Sequence, residues 1–237
     1  MNRTDLEAAL YDWHNSHVLR DQQRDIPYWV RRTRCLRPLL VLGAGTGRLA
    51  VPLASVPPVV ALDIDLARLD RIPATPGLQR VCADMRRTPL TKSFSAILLP
   101  YSTLQALCEP AHRAQTLREA ARLLAPGGSL FIDVSRSFDD HPDTQPSRRL
   151  RAPCSALGGH VVEEWQETQR GQSCLALRKT FYCAGERICQ VEERWAYAST
   201  LRVTRTLREC GFTVRDHRQG YGASHSLHRD IYHAVRV

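Results

Sequence analysis

The chain has 237 residues, 43% hydrophobic and 24% charged, with thirteen Gly, fourteen Pro and eight Cys, the composition of an ordinary globular protein of one domain or at most two. No apolar run approaches the roughly eighteen residues of a membrane span, and the N-terminal stretch MNRTDLEAALYDWHNSHVLRD is too polar for a signal-peptide core, so a cytoplasmic protein is expected. The net charge of +9 is carried almost wholly by arginine, Lys92 and Lys179 being the only lysines among 33 basic residues, and it invites a nucleic-acid reading.

In chain order, Thr4-Asp5-Leu6-Glu7 has capping-box spacing, and Leu6, Leu10 and Trp13 then recur at helical intervals, which predicts an amphipathic helix. A second helix is expected from Asp25-Ile26-Pro27, with Pro early in the first turn and Trp29, Val30 and Cys35 on its buried stripe. From Pro38 the rhythm changes to short apolar runs (LLVLG, PVVALDID, QRVCAD, FSAILLP and GSLFIDV) separated by the helical patterns GRLAVPLAS and HRAQTLREAARLLA. Buried runs alternating with helices predict a parallel sheet in a doubly wound α/β domain, with its ligand at the C-terminal ends of the strands.

Residues 135–158 are rich in Pro, Ser, Asp and Arg and are expected to form a mobile connection or lid. Three alternating stretches, HVVEEWQETQ, CLALRKTFYC and RICQVEERWAYA, predict an antiparallel meander turning at Arg170-Gly171 and Ala184-Gly185. A helix and two closing strands are expected to finish the chain. The eight cysteines include no CxxC pair and have no histidine at ligand spacing, so they are expected to be reduced thiols and no metal is expected. His217, His225, His228 and His233 likewise follow neither a metal motif nor a triad.

Three features carry the chemistry. Gly43-Ala44-Gly45-Thr46-Gly47 is a glycine-rich strand-to-helix turn, but its third glycine arrives one residue early for a dinucleotide fingerprint and the P-loop lysine is absent. Asp63 ends the next strand, where a carboxylate can accept both hydroxyl hydrogens of a ribose. Asp84, after the third strand, can accept from an exocyclic adenine amine while Cys82, Met85 or Ile64 packs on the ring. Together they outline a nucleoside site. Taken singly, each has a plain structural alternative: a tight turn for the glycines, a helix N-cap for an aspartate of the Asp63–Asp65 pair, a surface turn for Asp84.

The sequence resembles the small-molecule branch of the class I S-adenosylmethionine-dependent methyltransferases, through LLVLGAGTGRLAVPLA (39–54), ALDID (61–65), ADM (83–85), LPYSTLQAL (99–107) and LLAPGGSLFIDV (123–134). The likeness is close over residues 25–134 and looser to the C-terminus, where LRECGFTV is similar to the family's closing helix-strand unit. It implies a Rossmann-like sheet with an antiparallel β lid insertion: 1–37 an N-terminal helical cap, 38–134 the cofactor-binding core, 135–198 the linker and lid strands, and 199–237 the C-terminal helix and closing strands of the core sheet. It further implies that Gly43, Ala44 and Gly45 run beneath the methionine and ribose, that Asp63 holds the ribose, that Ile64 and Met85 sandwich the adenine and Asp84 meets its amine, that Pro100 and Tyr101 stand at the mouth, and that Tyr28 caps the cofactor.

Methyl transfer is an in-line displacement that needs a lone pair aligned with the sulfonium methyl in a water-poor pocket, with a base only where the acceptor holds its proton. Tyr11 and Tyr101 are the catalytic candidates, and Tyr11, Tyr101, Gln105 and Trp195 the candidates for substrate contact; Tyr28, Asp133 and Trp165 also belong to the strand ends or lid. Packing or capping is the competing reading for each. One position departs from the family: the acidic residue usual two places before the first glycine is Val41.

The expected function is therefore transfer of a methyl group to N, O or C of a small molecule, with no nucleic-acid or membrane partner. The alternative left open by Val41 is a methyltransferase-like protein doing other chemistry with the cofactor, such as an intramolecular displacement or cyclisation, or serving as a subunit of a heteromeric complex. A homodimer is equally open. A nucleic-acid methyltransferase is disfavoured because Leu98-Leu99-Pro100-Tyr101 lacks the amide or carboxylate of the base-methylating tetrad, and because paired arginines such as Arg148-Arg149 are dispersed among acids.

Overall fold

Leu39–Leu42 (β1), Val59–Asp63 (β2) and Phe94–Leu99 (β4) are almost continuously apolar because both faces of the sheet they build are covered, and nearly every residue in them is buried. The computed structural model describes residues 1–18, 25–91, 93–222 and 228–236. With Leu78–Cys82 (β3), Leu124–Ser135 (β5), Phe212–Gln219 (β10) and Arg229–Arg236 (β11) these strands form a seven-stranded sheet in the order β10-β11-β5-β4-β1-β2-β3. The pairs among β1 to β5 are parallel, whereas β11 is antiparallel to both β5 and β10. Strand order reverses between β1 and β4, which opens the crevice at their C-terminal ends.

Ala50–Leu53 (α3), Leu66–Asp70 (α4) and Pro110–Leu123 (α5) connect the parallel strands. Asp65 caps α4, its carboxylate accepting from the Arg68 amide at 3.2 Å, so the cap falls on Asp65 and leaves Asp63 for another role. Asp25–Thr33 (α2) packs Tyr28 and Trp29 on one face of the sheet beside Val41, Leu98 and Phe131. Ala198–Leu201 (α6) and Val203–Glu209 (α7) lead into β10. Among the described residues no helix is long and apolar enough to cross a membrane.

Arg3–Val18 (α1) is capped by Asn2, whose side chain accepts from the Asp5 amide at 2.9 Å. The expected cap at Thr4 is thus displaced by two residues, since Asn2 offers an acceptor of equal quality one half-turn earlier. Leu10 and Trp13 of α1 pack on a second sheet of four antiparallel strands, Thr144–Pro153 (β6), Val161–Arg170 (β7), Cys174–Cys183 (β8) and Glu186–Ala196 (β9).

Of the mobile connection or lid expected over 135–158, β6 overturns the mobile connection, since residues 144–153 form an edge strand of the second sheet. Its side chains are mostly exposed, so it carries no buried alternation to read. It is a strand because β7 supplies its hydrogen-bond ladder and Glu163 pairs with Arg151 at 3.0 Å and with Arg148 at 3.5 Å. The turn expected at Ala184-Gly185 is present, with φ of 51° and 84° as a tight hairpin needs.

Candidate active site

The glycine turn after β1 is fastened to β2 by its backbone. Ala44 N–H donates to the Leu62 carbonyl at 2.9 Å and Gly45 N–H to Asp63 Oδ2 at 2.7 Å, while Asp63 Oδ1 accepts from the Asp65 amide at 3.0 Å. Asp63 is only 8% exposed, and each of its oxygens, having one such partner, retains acceptor capacity for a hydroxyl. Gly43 and Gly45 have φ of 68° and 57°; a Cβ on Gly43 would fall 2.6 Å from Thr103 Cγ2, and one on Gly45 3.3 Å from the Tyr11 hydroxyl. The protein itself, through Thr103 and Tyr11, thus requires these glycines.

Ile64, immediately after Asp63, is 67% exposed, an apolar side chain left out of the core beside the carboxylate that would hold a ribose. Met85 packs partly against the main core. Asp84 is clasped by Arg86, which donates Nε and Nη2 at 2.6–3.0 Å and its backbone amide at 2.8 Å. The Arg86 hydrogen bond holds the Asp84 carboxyl below its ordinary value against the opposing effect of burial. An adenine amine at this carboxylate would share it with Arg86.

At the end of β4, Tyr101 and Ser102 both take left-handed backbone angles, φ 48° and 69°. Their geometry is held from β5 and β11. The Tyr101 amide donates to Asp133 Oδ2 at 3.2 Å, Arg229 Nε donates to Asp133 Oδ1 at 2.6 Å, and Arg229 Nη2 donates to Ser102 Oγ at 2.9 Å. The Tyr221 hydroxyl also donates to Asp133 Oδ2. The Tyr101 ring lies 4.5 Å from the Arg229 guanidinium and 4.9 Å from that of Arg48, which in turn makes a two-pronged pair with buried Asp25. Burial pushes the Tyr101 hydroxyl up, and the two arginines only moderate the shift.

Other candidates fall in different places. Tyr28 is buried in an aromatic group with Trp29 at 4.8 Å and Tyr221 at 5.5 Å between ring centres. Pro100 is buried behind Tyr101. Gln105 is fully buried, its amide donating to the Ser135 and Ala196 carbonyls and accepting from the Ser135 amide, so it braces the second sheet to the core and has no surface for a substrate. Trp195 stacks on Phe138 at 5.3 Å, on the face of the second sheet that Glu164, Lys179 and Phe181 share by register. Trp165, paired with Thr180, points to the opposite face and lines an outer groove with Tyr182. Tyr11 lies under the Arg68 guanidinium at 4.3 Å and, with His14, borders a cavity of about 280 Å³ between α1, α4 and strands β8 and β9.

Sequence reading missed Asp25, Arg48, Arg229, Tyr221, His14 and Glu164. Arg48 adjoins the glycine turn and was within reach of inspection, but the others come together only through long-range contacts. His225 lies outside the described residues; His217 bonds Asp230 at 3.1 Å and His233 bonds Ser129 at 3.0 Å, both structural positions.

The residues present fit S-adenosylmethionine: a backbone turn, a buried carboxylate with acceptor capacity to spare for a diol, and an exposed aliphatic side chain beside it. Val41 is 1% exposed among apolar neighbours, so β1 offers no carboxylate to the cofactor.

A methyltransferase-domain family model matches residues 39–128. No curated protein matches the chain. Among solved structures it is similar to an S-adenosylmethionine-dependent methyltransferase from Clostridium acetobutylicum, at 13% identity and a TM-score of 0.79 over 96% of this chain and 97% of that one. It is also similar to the sugar N-methyltransferase KedS8 from Streptoalloteichus, at 20% identity and 0.76 over 95% and 92%. The amino pentose methyltransferase CalS10 from Micromonospora echinaspora aligns at 19% identity and 0.70 over 90% of each chain. At such identities the structural likeness is one of fold, while the matched domain spans the glycine turn, Asp63, Asp84 and Tyr101. The chain therefore carries a methyltransferase domain over residues 39–128, within a fold shared with class I S-adenosylmethionine-dependent methyltransferases.

Proposed function

We propose that the protein methylates an amino nitrogen on a small polar molecule, an amino sugar or a sugar-bearing natural product being the class that best suits it. The observation that carries this reading is the arrangement of α1 and the second sheet over the strand ends: Tyr11 reaches the glycine turn, and Gln105 fastens β9 to β5, so the space beside the cofactor site is covered by α1 and the second sheet. Pairing of arginines such as Arg48, Arg86, Arg122, Arg151 and Arg178 to nearby carboxylates supports a small-molecule over a nucleic-acid partner. Solved neighbours of the same architecture and near-equal length include a sugar N-methyltransferase and an amino pentose methyltransferase, which supports the same class.

In this site the cofactor supplies an electrophilic methyl group. The chain's own residues hold the ribose at Asp63, close the cofactor side with Ile64 and Met85, exclude water with α1 and the lid, and present the acceptor. Titration calorimetry with S-adenosylhomocysteine, followed by a panel of free and nucleotide-linked amino sugars with S-adenosylhomocysteine release as the readout, tests the reading. Micromolar cofactor binding with turnover on an amino sugar is the expected result; turnover on RNA or on hydroxyl acceptors alone would replace it.

A further inference from the structure

His14 and Glu164 make an acid-imidazole pair that nothing in the cofactor site uses. His14 Nδ1 lies 2.6 Å from Glu164 Oε2, the glutamate is fully buried, and its other oxygen accepts from the Gln166 amide. With the carboxylate as acceptor, Nδ1 carries a proton, which leaves Nε2 as the nitrogen available to exchange one; among the described residues Nε2 has no hydrogen-bond partner. Burial acts to raise the Glu164 carboxyl, but the hydrogen bond and charge of His14, with help from Gln166 and Lys179, hold it lowered and ionised.

His14 borders the same cavity as Tyr11, one helical turn along α1, and Tyr11 is the residue that touches the glycine turn. The other charges on that cavity are already matched: Lys179 of β8 with Glu193 of β9 at 3.0 Å, Arg3 with Glu7 of α1 at 2.8 Å, and Arg68 of α4 with Asp65 at 3.1 Å, while Glu192 is shared by Arg178 and Arg194. The adhesion of α1 to the second sheet does not need the pair either. Leu10 and Trp13 supply an apolar contact, and Trp13 Nε1 donates to the Pro153 carbonyl at 2.9 Å. A fully buried carboxylate is a costly way to add to it.

Resting on the amine-methylation reading above, we propose that His14, oriented by Glu164, is the general base that frees the acceptor's lone pair. An amine acceptor arrives as its ammonium form; Nε2 of His14 takes one N–H proton and becomes imidazolium, stabilised by the Glu164 carboxylate. The lone pair released on nitrogen forms the N–CH3 bond, the S–CH3 bond breaks with its electron pair staying on sulfur, and the imidazolium returns its proton to solvent. His14 is then a catalytic residue and Glu164 a positioning residue.

Two measurements test this, the first independently of whether the acceptor class is right. In the intact protein with S-adenosylhomocysteine, nitrogen NMR of 15N-histidine-labelled wild type, assigned by comparison with His14→Asn, should show the neutral form of His14 carrying its proton on Nδ1, and Glu164→Gln should remove that tautomer preference. A neutral form with its proton on Nε2 overturns the proposal even if no acceptor has been found. On an amino sugar that the wild type methylates, His14→Asn, which keeps an amide donor for Glu164, should lower kcat by about a hundredfold or more and erase the acid limb of its pH profile, with S-adenosylhomocysteine affinity held within about threefold. A kcat close to wild type, or a parallel loss of cofactor affinity, overturns it as well. Failure of every acceptor with a correct tautomer would instead count against the amino-sugar reading.

Discussion

Arg229 Nε and Asp133 Oδ1 meet at 2.6 Å with the arginine side chain 7% exposed and the aspartate fully buried, so β11 and β5 are locked together by an ion pair beside the C-terminal end of β4. Burial acts to lower the Arg229 guanidinium, but the Asp133 charge and hydrogen bond raise it above its ordinary value. Through the Tyr101 amide and the Ser102 hydroxyl the same pair fixes the two left-handed residues that follow β4.

Breaking one partner should therefore cost more than removing both. Arg229→Leu leaves a buried carboxylate without its counter-charge and should lower unfolding free energy by about 3–5 kcal/mol, whereas Arg229→Leu with Asp133→Leu should recover a substantial part of that loss. Urea denaturation of the two single variants and the double variant measures the coupling. Additive losses would show that the pair is not energetically linked.

Asp63→Ala should leave the fold in place and weaken cofactor binding. It removes an acceptor for the Gly45 and Asp65 amides as well as for a ribose diol, and charge-assisted hydrogen bonds of roughly 1.5–3 kcal/mol imply a loss of about ten- to a hundredfold in S-adenosylhomocysteine affinity. Calorimetry reads the affinity, and circular dichroism confirms that the sheet persists.

Ile64 separates stability from binding. At 67% exposure its replacement by Ser should change unfolding free energy by no more than about 0.5 kcal/mol, yet it removes aliphatic surface from the place an adenine would pack. Thermal midpoints with and without S-adenosylhomocysteine give both quantities: a nearly unchanged apo midpoint and a smaller ligand-induced rise are expected.

Glu119 gives the stability a defined acid limb. The Arg122 hydrogen bond, helped by the amide and hydroxyl of Thr88 and opposed by burial, brings its carboxyl from the ordinary 4.5 down to about 2. A depressed folded value means stabilisation that is present above pH 4.5 and lost as the pH falls from there towards 2. Because Arg122 is half exposed, the effect is about 1 kcal/mol. Glu119→Gln should make this part of the stability profile shallower in acid denaturation, the slope that is left coming from the remaining carboxylates.

The sequence by itself determined the layers and the cofactor edge. Continuous apolar runs in β1, β2 and β4 report burial on both faces, and the glycine turn, Asp63 and Asp84 are local features whose meaning is carried by their distance from a strand end. The outer face of Trp165, the bracing role of Gln105 and the existence of β6 were decided by tertiary structure, because strand register, buried hydrogen-bond partners and ladder pairing involve residues tens of positions away. The same holds for the pairs Arg229 with Asp133, Arg48 with Asp25 and His14 with Glu164. Charged residues in a sequence look alike whether solvated or buried, and only the approach of α1, β7 and β11 to the sheet edge shows which of them are held out of water opposite a partner.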